Sequence, residues 1–312
     1  MSDRSIPRLL QTPAVILLLI WMLVPLSMTL FFSFIRYVLN SSRRPEWTSP
    51  SISNWRGFGN YEYVLNAKDF WFAIQNSVFI VASILVITVI FGLAIAVLIN
   101  RSFPGRGIVR VLLISPFFVM PAVNAVLWIN MILDPVLGLQ GIAVGGLNSL
   151  VDGLRDFPIL GYFFNLWPEI QPVSFRATQT SAYAVIMMVA WQWTPFAVLI
   201  FMTSLQSEDE SQKEAATLDG ASPWSQFINL TVPHLARPIA IVVMIQSIFH
   251  LSLYAEIEIV SRGNGNKNLP YLIGEFSSNN IGAASATGIF AVILANIIAI
   301  FLLRMVGKSL MD

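Results

Sequence analysis

Two helix-length apolar stretches carry polar and aromatic residues with the spacing of one helix face. Gln246 and His250 are four residues apart, and Gln192 and Phe196 share that spacing, with Trp193 beside them. Amides and imidazole bind hydroxyl groups, and aromatic rings pack against C–H surfaces, so this set suits a neutral polyhydroxy ligand such as a sugar or polyol. The alternative is that each polar residue only forms a hydrogen bond between helices, worth roughly 0.6–2 kcal/mol.

The composition disfavours other kinds of chemistry. The chain has no cysteine and only two histidines, which argues against disulfides, thiol catalysis and a histidine-rich metal site. A net charge of +1 without a basic block argues against nucleic acid as a partner. No Asp or Glu lies in the middle of an apolar stretch, which disfavours a proton relay through His250. The sequence predicts neither catalytic residues nor metal ligands, and therefore no enzyme.

Scarcity of charge defines the class of protein. Of the 312 residues, 56% are apolar and only 11% are charged, too few to coat a water-soluble domain. Six stretches of 18 or more residues lack Asp, Glu, Lys and Arg, and each can cross a bilayer as a helix. The sequence predicts an all-α integral membrane protein with six transmembrane helices, forming a single transmembrane domain over residues 1–312. The predicted spans are about 13–35, 76–99, 109–131, 181–204, 238–259 and 284–304.

Prolines interrupt three of the predicted spans. Pro25 lies in the first, Pro116 and Pro121 in the third, and Pro195 in the fourth. Each removes a helix hydrogen bond and favours a kink, although neighbouring helices can also make a membrane proline tolerable. A further charge-free stretch, residues 135–151, contains four glycines and is expected to pack at the outer interface rather than to span.

The distribution of Lys and Arg bears on orientation. Six helices put both termini on one side, and the basic residues divide nine to nine between the two sides. The inner segments are shorter and include the basic turn 101–106, so we expect both termini in the cytoplasm. The loop of about 205–237 then lies in the cytoplasm as well, and it carries seven of the 35 charged residues.

This inner loop has the pattern of two short helices. Ser207 is the expected N-cap of the first helix, acidic residues follow in its first turn, and Gly220 is expected to end it. A second helix is expected from about Pro223 to Leu230, ending before Pro233. Periodicity alone leaves open an ordinary solvated loop.

The spacing of this loop resembles a known signature. Glu214-Ala215-Ala216 is followed after three residues by Gly220, and after nine more by Leu230-Thr231-Val232-Pro233. This arrangement resembles the cytoplasmic loop of ATP-binding-cassette importer permeases, with Leu and Val where Ile and Leu are usual. Asp219-Gly220-Ala221 with Trp224 and Phe227 is similar to the carbohydrate-uptake branch, the maltose and glycerol-phosphate type. Smaller resemblances extend over most of the chain.

The resemblance implies a subunit without chemistry of its own. The loop would act as a coupling helix seated in a separate ATP-binding-cassette ATPase dimer, which would bind ATP and Mg; this chain contains no phosphate-binding loop. The other implied partners are a second homologous permease, an extracytoplasmic solute-binding protein and membrane lipid, in the bacterial inner membrane. Glu214 is the first candidate for coupling to the ATPase. Asp219 is a second candidate, but it could instead simply cap the following turn. The implied coupling residues are Glu214, Ala215, Ala216, Asp219, Gly220 and Pro233.

The resemblance also bears on substrate. By position, though not by side chain, the implied substrate-path residues correspond to the sugar site of the maltose-type permease: Gln192, Trp193, Phe196, Gln246 and His250. Ala255-Glu256-Ile257 looks like the polyol subset of this branch, although the glycine-rich turn typical of that subset is absent after it. Alternatively, Glu256 and Glu258 are carboxylates in water at the outer interface. The competing class is a secondary transporter of a neutral solute, which would be expected to show inverted repeats and ionisable groups inside the membrane.

Overall fold

The computed structural model of the chain describes residues 5–39, 50–157, 162, 166 and 168–311. These residues form helices, turns and two isolated β-bridges, and no strand occurs among them. Short 3₁₀ turns cover Ile52–Asn54 and Ser115–Phe118, and π turns cover Trp128–Ile132 and Phe227–Thr231. The α-helices are α1 (Ser5–Ser33), α2 (Gly59–Asn66), α3 (Lys68–Asn100), α4 (Arg106–Ile114), α5 (Pro121–Leu127), α6 (Leu139–Arg155), α7 (Ser181–Leu205), α8 (Glu210–Leu218), α9 (Pro223–Gln226), α10 (Val232–His234), α11 (Ala236–His250), α12 (Ala255–Ser261), α13 (Leu269–Ser277) and α14 (Ile281–Met311).

Four straight helical segments in the described part are long and apolar enough to cross a membrane: Leu10–Ser33, Lys68–Asn100, Ser181–Leu205 and Ile281–Arg304. Two bent pairs meet the same test. Arg106–Phe118 and Pro121–Ile132 meet at 102°, and Pro223–His234 and Ala236–His250 meet at 54°. The structure therefore contains four to six candidate spans and has the all-helical class that the sequence predicts.

The prolines in the predicted spans act differently from one another. Helix α7 runs through Pro195 and α1 through Pro25 without a break. The third predicted span is instead broken at Val119 and Met120, which have extended backbone, and α5 restarts with Pro121 in its first turn. A proline needs no N–H partner in a first turn, so the restart costs no hydrogen bond there.

The chain forms two compact units, which we describe separately. The first contains residues 1–74 and 269–296, and its core joins α2, the start of α3, α13 and α14 through Val64, Phe70, Leu272 and other apolar residues. Asn60 is fully buried there and donates to the carbonyls of Ser33 and Ile35 at 2.9 and 2.8 Å. These two bonds satisfy backbone carbonyls left free where α1 ends.

The second unit contains residues 75–268 and 297–312 and is built around α7. Phe201 and Leu205 of α7 are buried together with Ala96 of α3, Leu235 and other apolar residues. Gly92 lets α3 approach α7 closely, because a Cβ at that position would lie 2.7 Å from the Cβ of Ala197. Both segments predicted to be functional from the sequence belong to this unit.

The fifth predicted span is shorter than expected. Helix α11 ends at His250, and α12 begins only at Ala255. In the intervening turn, the Leu253 carbonyl accepts a hydrogen bond from the Asn268 side chain at 2.6 Å. This bond satisfies a carbonyl that a continuous helix would have paired, so the chain can turn here without an unpaired buried group.

Candidate functional site

The first helix of the inner loop, α8, begins two residues later than the sequence predicts. Its N-cap is Asp209, which accepts from the Ser211 amide at 2.9 Å. Hydrogen bonds from the Ser211 side chain and amide lower the pKa of Asp209. The expected N-cap, Ser207, donates instead to the Ser204 carbonyl, so its hydroxyl completes the end of α7. The Ser207 prediction is therefore wrong.

The signature residues lie on α8 and just after it. Glu214 and Ala215 are exposed, Ala216 is half-buried, and Asp219 is the C-cap residue. Gly220 ends the helix as predicted, with φ +81°, in the left-handed region that favours glycine. Ser222, rather than Asp219, caps the next helix, since its hydroxyl accepts from the Ser225 amide at 3.2 Å.

The second helical segment of the loop continues past its predicted end. A π turn follows α9, with the Val232 amide donating to the Phe227 carbonyl, and Pro233 lies inside the short helix α10. The prediction that the helix ends before Pro233 is wrong. The wider π turn closes on the residue before the proline, and Pro233 then occupies a first-turn position, where its missing N–H is not needed.

Leu218 and Trp224 are the most exposed large apolar side chains of this loop. Leu218 at the end of α8 is 89% exposed, and Trp224 of α9 is 70% exposed. Trp224 stacks on Phe227 with ring centroids 5.6 Å apart. Leu218 lies four residues after Glu214 on the same face of α8, and an exposed apolar side chain near a carboxylate is typical of a surface that another protein covers.

The predicted substrate-path residues meet around Trp193. His250 of α11 packs edge-on against Trp193 with ring centroids 5.0 Å apart, and Phe196 lies at 5.9 Å. Two further rings complete this cluster, Phe117 at 5.4 Å and Phe249 at 5.0 Å. We call these five residues the Trp193 cluster.

Sequence reasoning missed Phe117 and Phe249. Phe249 directly precedes His250 in the chain, and this adjacency could have indicated that Phe249 also lies near Trp193. Phe117 reaches Trp193 from the 3₁₀ turn before the break in the third predicted span. No pattern in the local sequence indicates that contact.

Gln192 and Gln246 are buried and already hydrogen-bonded. Gln192 donates to the Val119 carbonyl at the helix break and accepts from Asn124 at 3.0 Å. Gln246 accepts from Thr88 at 2.7 Å and donates to the Trp193 carbonyl at 3.4 Å. These amides connect helices and fix the backbone next to the Trp193 cluster.

The imidazole of His250 differs from the two amides. It is 1% exposed, and no described residue forms a hydrogen bond with either ring nitrogen. A buried polar group without a partner is uncommon and calls for a water or a ligand. The imidazole of His250 can therefore still bind a hydroxyl.

The two carboxylates after this helix have different surroundings. Glu256 of α12 is 5% exposed, so the alternative of a carboxylate in water does not hold for it. Glu258 is partly exposed and lines a pocket of about 490 Å³ with Arg176 and Arg262. Among the described residues, no group of three or more His, Cys, Asp or Glu side chains could hold a metal ion.

Comparisons with known proteins agree with the inner-loop signature. Residues 88–312 match the family described as binding-protein-dependent transport system inner membrane component. The permease protein YcjO of Escherichia coli (strain K12) is 28% identical over 302 residues, covering 94% of this chain and 93% of that protein. The trehalose/maltose transport system permease protein MalF of Thermococcus litoralis is 27% identical over 281 residues, covering 88% and 83%.

A solved structure has the same fold. A chain of the bacterial alginate ABC transporter, crystallised with an alginate pentasaccharide-bound periplasmic protein, superposes with a TM-score of 0.71 at 19% identity, covering 96% of this chain and 93% of that one. The resemblance to sugar-importer permeases is confirmed, and the alternative of a secondary transporter is not supported. This chain belongs to the inner membrane components of binding-protein-dependent transport systems and is a membrane permease subunit rather than an enzyme.

Proposed function

We propose that the chain is one of two permease subunits of an ATP-driven importer for a carbohydrate or polyol. The observation that carries the substrate class is the Trp193 cluster, which combines aromatic faces with an imidazole that has no hydrogen-bond partner among the residues that the structure describes. The names of relatives point the same way, since MalF of Thermococcus litoralis belongs to a trehalose/maltose system.

In the proposed topology, each bent helix pair is one span, which gives six spans in a single transmembrane domain over residues 1–312. Both termini and the loop 205–237 lie in the cytoplasm. The partners are an ATP-binding-cassette ATPase dimer, a second homologous permease, an extracytoplasmic solute-binding protein and lipid. ATP and Mg bind to the ATPase, and this chain binds no cofactor.

The inner loop is the proposed docking surface for the ATPase. Glu214 presents a carboxylate for a basic group, while Leu218 and Trp224 present apolar area that would be buried on docking. A Cβ placed on Gly220 would have no neighbour within 4 Å, so the partner can approach the backbone closely there. Ala215, Ala216, Asp219 and Pro233 complete the proposed coupling residues.

The Trp193 cluster is the proposed substrate contact. Trp193 and Phe196 pack against the C–H faces of the ligand, and His250 bonds to a hydroxyl. Gln192 and Gln246 belong to the path as positioning residues, because their amides hold the backbone at Val119 and Trp193. ATP-driven closure of the partner would turn this site from inward-facing to outward-facing, where the solute-binding protein delivers ligand.

Substitutions in the exposed loop test the coupling assignment. We expect Glu214→Lys and Gly220→Asp to abolish uptake and leave insertion into the membrane intact, because both positions lie outside the folded core. Gln212→Lys is the matched control, since Gln212 is an exposed residue of the same helix outside the signature. Normal uptake in both signature variants would overturn the assignment.

A further inference from the structure

Glu208 joins three parts of the inner loop. It lies three residues beyond Leu205, the last residue of α7, and its side chain is only 7% exposed. One carboxylate oxygen accepts from the Thr231 hydroxyl at 2.8 Å. The other lies 2.8 Å from the Lys213 ammonium on α8, an ion pair without hydrogen-bond geometry. A single carboxylate therefore connects the end of α7, the signature helix and the π turn that leads into α10.

The returning chain is attached to α7 at a second point. His234, three residues after Thr231 and hence on the same helix face, contacts the Ser204 carbonyl through Nε2 at 2.9 Å. The next residue, Leu235, is fully buried in a core that includes Leu205. The start of α11 is thus held against the end of α7.

The two short helices of the loop are also bonded to each other. Gln226 at the end of α9 donates to the Thr217 hydroxyl at 3.0 Å and to the Ala221 carbonyl at 3.1 Å. The loop is therefore a connected structure, and Glu208 joins its parts just after α7 ends. Thr231 stands within the Leu230-Thr231-Val232-Pro233 end of the signature, whereas Glu208, Lys213 and His234 lie outside it.

We propose that Glu208 and Thr231 are positioning residues. They transmit a displacement of the signature helix, α8, to the end of α7 and to the start of α11 at the same time. This inference rests on the proposed function, because it requires a partner that displaces the loop. Thr231 is 6% exposed and faces inward, so it acts through Glu208 rather than through the ATPase. Loss of its hydroxyl leaves a buried carboxylate oxygen short of a donor and separates the returning segment from Glu208.

The experiment uses the intact purified transporter in lipid nanodiscs and needs no identified substrate. Ser252 is exposed just beyond α11, and since this chain lacks cysteine, Ser252→Cys introduces a unique thiol into this subunit. Its rate of reaction with a membrane-impermeant maleimide is measured without nucleotide and after trapping with ATP and vanadate. The variants are Thr231→Val, which removes the hydroxyl, and Thr231→Ser, which keeps it. Thr203→Val is the control, since the hydroxyl of the exposed Thr203 donates to the carbonyls of Leu199 and Ile200 in its own helix.

We expect trapping to change the maleimide rate in the unaltered, Thr231→Ser and Thr203→Val proteins. In Thr231→Val, the change should be at least about fivefold smaller although vanadate trapping still occurs. An equal change in Thr231→Val and Thr231→Ser would overturn the positioning role. If trapping alters the rate in none of the proteins, including the unaltered one, ATP-driven alternation itself fails, and the proposed function fails with it.

A second pair of variants serves if Thr231→Val does not assemble. Lys213 is 38% exposed, so its replacement should not prevent folding. Lys213→Met removes the ion pair with Glu208, and Lys213→Arg retains it. We expect a roughly twofold smaller trapping response in Lys213→Met and a normal response in Lys213→Arg. A normal response in both would overturn the role of the ion pair.

Discussion

At the residue scale, the side chains near Trp193 differ in whether their polar groups are already used. The amides of Gln192 and Gln246 are occupied by backbone carbonyls and by Asn124 and Thr88. The imidazole of His250 has no such partner among the described residues. Substitution of His250 should therefore affect ligand binding, whereas substitution of Gln192 or Gln246 should affect helix packing.

Trp193→Ala should lower uptake at least tenfold, because it removes the ring that contacts Phe117, Phe196, Phe249 and His250. Trp191→Ala is the matched control: the same residue type on the same helix, in contact with Trp128 and outside the Trp193 cluster. Uptake into proteoliposomes with a panel of radiolabelled sugars and polyols gives the comparison. Equal effects of the two changes would contradict the proposed path.

Gln192→Leu should lower the free energy of unfolding in detergent by about 1–2 kcal/mol, and with it the melting temperature. The change removes the bond to Val119 at the break between α4 and α5 and leaves Asn124 without its side-chain acceptor. Asn296→Leu is the control, because the exposed Asn296 donates to the Val292 carbonyl of its own helix. A melting temperature that falls no further than in the control would mean that Gln192 does not hold the break.

At the scale of elements, the inner loop shows what local sequence does and does not encode. Gly220 ends α8 as predicted, because its left-handed backbone is a local requirement. The path through Pro233 was not predictable from local rules, since it depends on a π turn five residues long. The start of α8 was misplaced because Ser207 and Asp209 are both good N-caps, and the choice between them depends on the end of α7.

Contacts between distant segments were the other limit. Spacing placed Gln246 and His250 on one helix face, and the structure agrees that both are buried. The partners Thr88 and Asn124 lie more than 60 residues away from the amides that they bind, and a single sequence carries no signal for such pairs. Pro116 and Pro121 indicated a kink in the third span, but not the 102° angle between its two halves.

The cap of α8 should depend on the ionisation of Asp209. The pKa of Asp209 is lowered by the Ser211 side chain and amide, so its contribution is present above the ordinary Asp pKa and is lost as the pH falls through the lowered value. Asp209→Ala should speed amide hydrogen exchange in the first turn of α8 about fivefold at neutral pH. Asp209→Asn keeps an acceptor but not the charge, so its exchange rate should lie between those of the parent and Asp209→Ala. Identical exchange in Asp209→Ala and the parent would argue against this cap.

At the scale of the whole molecule, much apolar surface remains uncovered. No residue of the best membrane-spanning window in Leu10–Ser33 is buried within the described chain. Leu218 and Trp224 are exposed on the inner loop as well. The proposed assembly with a second permease and an ATPase accounts for both surfaces. Lipid or a neighbouring subunit would cover Leu10–Ser33, and docking of the ATPase would cover Leu218 and Trp224.

The central claim is that transport energy enters this chain from an ATPase through the inner loop. The most direct measurement is the protein composition and ATP hydrolysis of the complex purified in mild detergent, with and without Glu214→Lys. The account predicts that an ATP-binding-cassette ATPase and a second permease copurify with the unaltered chain, and that Glu214→Lys reduces the bound ATPase or uncouples its hydrolysis. Purification of the unaltered chain without any ATPase, while it still supports uptake, would contradict the account.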